Sequence, residues 1–399
     1  MSIQPLHPVG LKSQAVNFQL MPPLSLYIHI PWCVRKCPYC DFNSHEARGS
    51  LPEKEYVAAL VRDLESALPL VWGRRVQSVF FGGGTPSLAS GEGIAEILRQ
   101  VRMLLPLEHN AEITLEANPG TVEAGKFAAF RAAGVNRLSL GIQSFNDQHL
   151  RALGRIHSAD EAKRAIAIAQ QYFDNLNLDL MYALPQQTLE QALQDVQTAL
   201  DYSPQHLSCY HLTLEPNTLF AHQPPPLPDD DASSAIQQGI EALLAGQGYA
   251  HYETSAFAQP KKQSRHNLNY WQFGDYLGIG AGAHSKLSFH DKVIRQARYK
   301  QPQAYLDAAV QGMPVQSEQV LSKEDIAFEF MMNALRLNNG FEEVLFQERT
   351  SLPLLLIRHE LDEAEKRGLL QRDGQRIAPT ELGQRFLNDL LQIFLAPEH

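Results

Sequence analysis

The sequence predicts an α/β protein, with parallel strands joined by helical crossovers in an open doubly wound sheet or a barrel, followed by a smaller and mainly helical unit. Three observations carry this. Six strand-helix units follow one another from Ser25 onward, and such alternation implies parallel strands with right-handed crossovers. The residues suited to chemistry fall just after the strands, where both architectures place their sites. From Ser322 the order changes to helix, helix, hairpin and helix.

Each element has its own signal. Residues 1–22 lack periodicity and hold three prolines, so they read as a mobile arm. Residues 25–30 form an apolar run rich in β-favouring side chains and closed by Pro31, as in a strand buried on both faces. Over 54–68 the apolar residues Val57, Leu60, Val61, Leu64 and Leu68 recur at helical spacing. Strands then follow at 77–81, 112–117, 137–143, 176–183 and 206–214, with helical stretches at 91–105, 121–133, 157–173, 188–201 and 232–244. Gly134 stops one helix, Gly246 and Gly248 another, and 249–257 is extended again. In the last part Ser322 caps a helix to Leu337, with Glu324 and Asp325 in its first turn. A second helix is expected over 353–367, then a hairpin turning at Asp373-Gly374, then a terminal helix capped by Thr380. This is a winged-helix-like unit.

Composition excludes several classes. At 399 residues the chain exceeds one ordinary domain, so two are expected. A net charge of -10 argues against a nucleic-acid surface. The winged-helix-like unit holds 9 Lys or Arg against 14 Asp or Glu, a balance that repels phosphates, so it reads as a lid or interaction module. No apolar run reaches the roughly 18 residues of a membrane helix, and the N-terminus lacks a charged segment followed by an apolar one. The expected compartment is the cytoplasm, where thiols stay reduced.

Of four cysteines, Cys33, Cys37 and Cys40 stand on one loop as CxxxCxxC. They cannot all pair as disulfides. A zinc site would need His45 or a distant histidine as fourth ligand, whereas three soft ligands suit an iron-sulfur cube with one iron left open. Cys209, in HLSCYHLTL, reads as core. After the second strand, Gly82, Gly83, Gly84, Thr85 and Pro86 either make a tight strand-to-helix turn or let a ligand lie against bare main chain. Glu116, Gln143 and Asp179 each sit in or just after an apolar strand and need polar partners there. Arg155 offers a guanidinium fork for a carboxylate, or is a surface arginine. His266 opens HNLNYW, a histidine with Asn267, Tyr270 and Trp271 that could wall a porphyrin or pack a junction.

The cysteine spacing, with Tyr27, the tripeptide His29-Ile30-Pro31 and an aromatic before Cys40, resembles the radical S-adenosylmethionine (SAM) enzymes. The similarity runs over nearly the whole chain and points to the branch of oxygen-independent coproporphyrinogen III oxidases and haem chaperones. It implies a partial (β/α)6 barrel at 23–258 after an arm at 1–22, a junction at 259–321 and the branch's C-terminal domain at 322–399. It further implies a [4Fe-4S] cluster on Cys33, Cys37 and Cys40, and SAM held by Tyr27, Tyr39, Gly83, Gly84, Thr85, Glu116, Gln143, Arg155 and Asp179. Two features favour a chaperone that passes haem to respiratory haem proteins over an oxidase. The oxidase's further cysteine is absent, since Asp41 and Phe42 follow Cys40, and HNLNYW resembles the chaperones' HNxxYW, with His266 as haem ligand. His284, in the glycine-rich stretch YLGIGAGAHS, is a further candidate for the SAM pocket. A homodimer is left open.

Overall fold

The structure is a computed structural model that describes residues 16–121 and 124–395. Six parallel strands run β1 Leu24–Ile30, β2 Val76–Gly83, β3 Leu107–Ala117, β4 Arg137–Gln143, β5 Leu176–Tyr182 and β6 His206–His211. Their crossovers are α1 Glu53–Ala67, α2 Gly91–Leu104, α3 Ala124–Ala133, α4 Ala159–Ala169 and α5 Leu189–Leu200, with α6 Asp230–Gly246 after β6. The expected parallel α/β architecture is therefore present, as a partial barrel.

Its edges differ from expectation. The extended stretch after α6 folds into a hairpin, β7 Ala250–Glu253 and β8 Ala256–Ala258, and β8 pairs antiparallel with β6. Four more strands come from the stretch expected as a junction: β9 Asp275–Ile279, β10 His284–Ser288, β11 Val293–Arg298 and β12 Val315–Val320. β9 lies parallel to β1, and the others continue antiparallel, giving the order β12-β11-β10-β9-β1-β2-β3-β4-β5-β6-β8-β7. The glycine-rich YLGIGAGAHS reads as a loop locally, but β1 offers it a free edge to pair with.

The six strands are buried on both sides, yet the two sides differ in chemistry. Outward residues such as Leu26, Ile28, Val79, Phe81, Leu115, Leu140, Leu178 and Leu207 pack with Leu60, Leu64, Ile94 and Leu98 of the helices. Inward residues are polar: Ser25, Tyr27 and His29 on β1, Arg137 and Ser139 on β4, Asn177 and Asp179 on β5, His206 and Ser208 on β6. They satisfy one another. Asn177 Nδ2 donates to Ser139 Oγ at 2.7 Å, and Ser208 Oγ donates to Asn177 Oδ1 at 3.1 Å. Period-2 alternation of this kind marks a sheet whose one face meets helices and whose other face lines a polar hollow. Tyr210, inward-facing on β6, is 41 % exposed, so the hollow is open to solvent at that strand.

The N-terminal arm is only partly within view. Residues 1–15 lie outside the described residues, and 16–18 are docked rather than loose. Val16 and Phe18 are 7 % and 3 % exposed, in a core they share with Ile326, Phe330 and Phe346. The C-terminal unit starts with helix Lys323–Ala334, whose Ser322 and Asp325 form a reciprocal capping box. A helix at Glu343–Thr350, not expected from the sequence, follows it and stops at Ser351 in the left-handed conformation. The segment expected as one helix divides into a 3-10 turn Leu354–Ile357 and the α-helix Arg358–Lys366. The hairpin Leu370–Asp373 with Arg376–Pro379 and the Thr380 cap are as expected. Arg336 ties this unit to the barrel, pairing with Glu253 at 3.3 Å and lying over the Trp271 ring at 4.2 Å. Among the described residues no helix is long and apolar enough to cross a membrane.

Candidate functional site

The site is built at the carboxyl ends of β1 to β5. Pro31 breaks β1, and the chain loops through Cys33, Cys37 and Cys40 before returning, where the His45 amide donates to Pro31 O at 2.7 Å and the Ala47 amide to Cys33 O at 2.8 Å. The three thiols are free and half-buried. Burial raises the pKa of Cys33 and Cys40, partly offset by hydrogen bonds from neighbours including Thr85 and Ser44. Metal binding would therefore displace protons. Among the described residues no three His, Cys, Asp or Glu side chains converge on one ion. A cubane takes each thiolate at a separate iron, and three free thiols on one loop at CxxxCxxC spacing fit it. Such a cluster, when bound, supplies an open iron that chelates a substrate's amino and carboxylate groups.

A relay that sequence reasoning missed braces this loop. Asn43 O can only accept, so His29 Nε2 donates to it at 2.9 Å, which leaves Nδ1 to accept from the Tyr27 hydroxyl at 3.0 Å. Burial lowers the His29 pKa to about 4, in keeping with the neutral ring this needs. Asn43 Nδ2 in turn donates to Ala281 O and Lys300 O, both at 3.0 Å. Tyr56 on α1 donates to His29 O at 2.8 Å and accepts from the Ala281 amide at 2.9 Å. The signal was the spacing of Tyr27 and His29, two apart and hence on one face of a strand.

Gly83 and Gly84 are glycines for steric reasons. Gly83 has φ +115°, and a Cβ there would lie 2.6 Å from the His29 ring, while one on Gly84 would lie 2.6 Å from Trp32 O. Thr85 is buried at 7 % exposure, with its amide on Trp32 O at 2.8 Å. Glu116, next to the Gly83 amide, is pushed up to about 8, by burial first and then by Asp179. Burial also raises Asp179, whose Oδ2 accepts from Ser139 at 2.9 Å and Oδ1 from Asn177 at 2.8 Å. Gln143 has φ 69° without being glycine, a strained backbone of the kind held at functional sites. Arg155 is no surface residue: Nη2 donates to Gly141 O at 2.8 Å, and Nη1 lies 3.7 Å from Cys37 Sγ. Tyr39 packs on Phe220 and is close to both Arg155 and Cys37. Eight of the nine expected SAM residues thus surround the mouth of the hollow, and Tyr27 faces it from within β1.

His266 lies deeper in the barrel, beneath Tyr27, with the two ring centroids 6.4 Å apart. It is 1 % exposed, on the helix Arg265–Trp271 that closes the amino-terminal end of the barrel, and its Nδ1 is 2.9 Å from Ser78 Oγ. Its ring stacks on Phe80 at 4.8 Å, and the Arg265 and His266 amides donate to Glu112 at 3.2 and 3.1 Å. Ser78 is five residues before Gly83, so His266 is roughly 16 Å of strand below the cysteine loop. A haem reaching its unpartnered Nε2 would need this floor to open. His284, at the start of β10, is exposed. Cys209 is core as expected, 4 % exposed, its thiol pushed up to about 12 by burial.

A partial (β/α)6 barrel with three free thiols on the loop after its first strand defines a radical SAM protein. The Radical SAM superfamily model matches residues 27–199, and the HemN C-terminal domain model matches 321–386. The chain is 50% identical over 378 residues to the heme chaperone HemW of Escherichia coli K12, covering 94% of this chain and 99% of that protein. It is 48% identical to the heme chaperone HemW of Haemophilus influenzae, covering 95% and 99%. The solved structure of the Escherichia coli coproporphyrinogen III oxidase HemN aligns with a TM-score of 0.80 at 25% identity, covering 94% of this chain and 90% of that one. The chain belongs to the radical SAM superfamily, in the branch that contains HemN and HemW.

Proposed function

We propose that the protein is a cytoplasmic haem chaperone, which carries a [4Fe-4S] cluster on Cys33, Cys37 and Cys40, binds SAM and haem, and passes haem to haem-accepting proteins such as respiratory enzymes. The observation that carries this reading is the thiol loop itself. It ends in Cys40-Asp41-Phe42 without the oxidase's further cysteine, in a chain with end-to-end similarity to heme chaperones. Hemin titrated into anaerobically reconstituted protein, followed at the Soret band, is expected to saturate near one haem per chain. Absence of saturation removes the proposal.

The SAM pocket in this reading is the ring of Tyr27, Tyr39, Gly83, Gly84, Thr85, Glu116, Gln143, Arg155 and Asp179. The glycines let the ligand approach main chain, Arg155 faces its carboxylate, and Glu116 and Asp179 accept from its hydroxyl and amino groups. An ionised carboxylate accepts more strongly than a neutral one and has no proton of its own in the way. Because Glu116 without ligand titrates at about 8, SAM binding draws off its proton, and affinity rises with pH through the range just below that value and levels above it. Between pH 6.5 and 8.5 we expect SAM affinity, by anaerobic calorimetry, to tighten about tenfold. Glu116→Gln flattens the profile; an unchanged slope in that variant assigns the proton elsewhere.

The similarity to the HemN structure favours a second reading, an oxidase that decarboxylates coproporphyrinogen III. Anaerobic incubation with that substrate, SAM and a reductant separates the two, since protoporphyrinogen forms only in the second.

A further inference from the structure

We propose that haem seats in the open cleft beside the cysteine loop, with its propionates on Arg35 and Arg151. This inference rests on the chaperone reading and names where its cargo sits. The cleft holds about 580 Å³ between the cysteine loop on one side and the short helix Asp147–Ala152 with segment 217–220 on the other. That volume is within the roughly 300–1,000 Å³ of small-molecule sites. Pro38 and Cys37 form part of its lining, and Leu219 and Phe220 an apolar wall. Leu219 is 55 % exposed within this lining, and a large apolar side chain left open in a concave site is available to a ligand.

The charges match the same ligand. Arg35 and Arg151 both line the cleft and are exposed, and among the described residues neither side chain has an ion-pair partner. Each guanidinium forms a fork suited to a carboxylate, and Lys36 adds a third cation to the same lining. Haem offers a flat apolar ring and two propionates, which match a cleft whose lining holds both apolar side chains and two guanidinium groups. A concave cleft of this volume with a mixed apolar and cationic lining suits a flat small molecule better than an acidic protein, for which charge on a flat face would suffice. The cleft is also open, so cargo can enter and leave without unfolding anything, whereas the barrel floor at His266 is sealed. Cys37 borders both the cleft and the Arg155 guanidinium, which brings the cargo next to the cluster loop.

The test is a hemin titration of the full-length, cluster-loaded protein and its Arg151→Glu, Leu219→Glu, Arg35→Glu/Arg151→Glu and His266→Ala variants, with iron content and circular dichroism recorded for each. Arg151 and Leu219 are exposed and lie outside the cysteine loop, so their variants are expected to fold and to keep their iron. We expect Arg151→Glu and Leu219→Glu each to weaken haem affinity at least tenfold, and His266→Ala, where folded, to leave it unchanged. The dimethyl ester of haem, which lacks the carboxylates, is expected to bind wild type and Arg151→Glu alike. If wild type binds haem but the cleft variants bind as tightly, or if His266→Ala alone abolishes binding, the haem seat is elsewhere and this inference fails. If wild type does not bind haem at all, the chaperone reading fails instead. Charge reversal that slows reduction by an acidic electron-donor protein with haem affinity intact would assign the cleft to that partner and overturn the proposal.

Discussion

Cys37→Ala is expected to leave the protein folded and without a cluster. A cubane held by three thiolates on one loop cannot replace a missing one, because among the described residues the only other cysteine, Cys209, is 4 % exposed in the core. Iron and sulfide per chain after anaerobic reconstitution should fall from about four each to near zero, with loss of the broad visible absorption. Cys37 is only half-buried, so the change in unfolding free energy should stay under about 1 kcal/mol. Cys209→Ala is the contrast, removing buried packing but retaining iron. Wild-type iron content in Cys37→Ala would falsify the assignment of that residue as a ligand.

The second large effect concerns stability. Asp63 on α1 and Arg298 on β11 are both fully buried and form an ion pair at 3.3 Å. Asp63 also accepts from the Gly280 amide at 3.1 Å and Tyr305 at 3.0 Å, and Arg298 donates to Ser285 at 2.7 Å. Removing one partner strands a charge away from water, at a cost of about 3–5 kcal/mol. Arg298→Ala should therefore lower the melting temperature by about 4–6 °C in a chain of 399 residues. Asp63→Asn/Arg298→Met, which removes both charges, should recover a good part of it; a double variant no more stable than the single one would show that the loss is packing and not charge. The turn Gly280 to Ala283 also holds Asn43 at the end of the cysteine loop, so Arg298→Ala should reconstitute with less iron as well.

The relation between sequence and structure is clearest on β1. Its residues LSLYIHI read as an apolar run, and the strand is indeed buried on both faces, yet Ser25, Tyr27 and His29 face the hollow while the leucines and isoleucines face α1 and its neighbours. The same alternation in LNLDLMY on β5 carries Asn177 and Asp179 inward. Hydropathy averages over two faces, so a polar lining inside a barrel is hidden by the apolar outer face unless residues are read two apart. β9 to β12 were missed for another reason. Strands that join an existing edge draw their stability from the partner, and glycine-rich or polar stretches such as YLGIG and VQSEQV carry weak propensity of their own. The docking of Val16 and Phe18 on the C-terminal core is likewise a contact between residues hundreds of positions apart.

Local sequence by itself determined the parallel α/β order, the cysteine loop, the glycine turn and the polar strand ends, because periodicity, caps, breakers and ligand spacing all act within a few residues. Only the tertiary structure decided the rest: that Arg155 turns in toward Cys37, that His29 couples Tyr27 to Asn43, and that His266 seals the floor while Arg35 and Arg151 face open water. Those outcomes depend on which surfaces meet across the barrel. Burial, charge pairing and access to solvent are properties of that meeting and of no single stretch of chain.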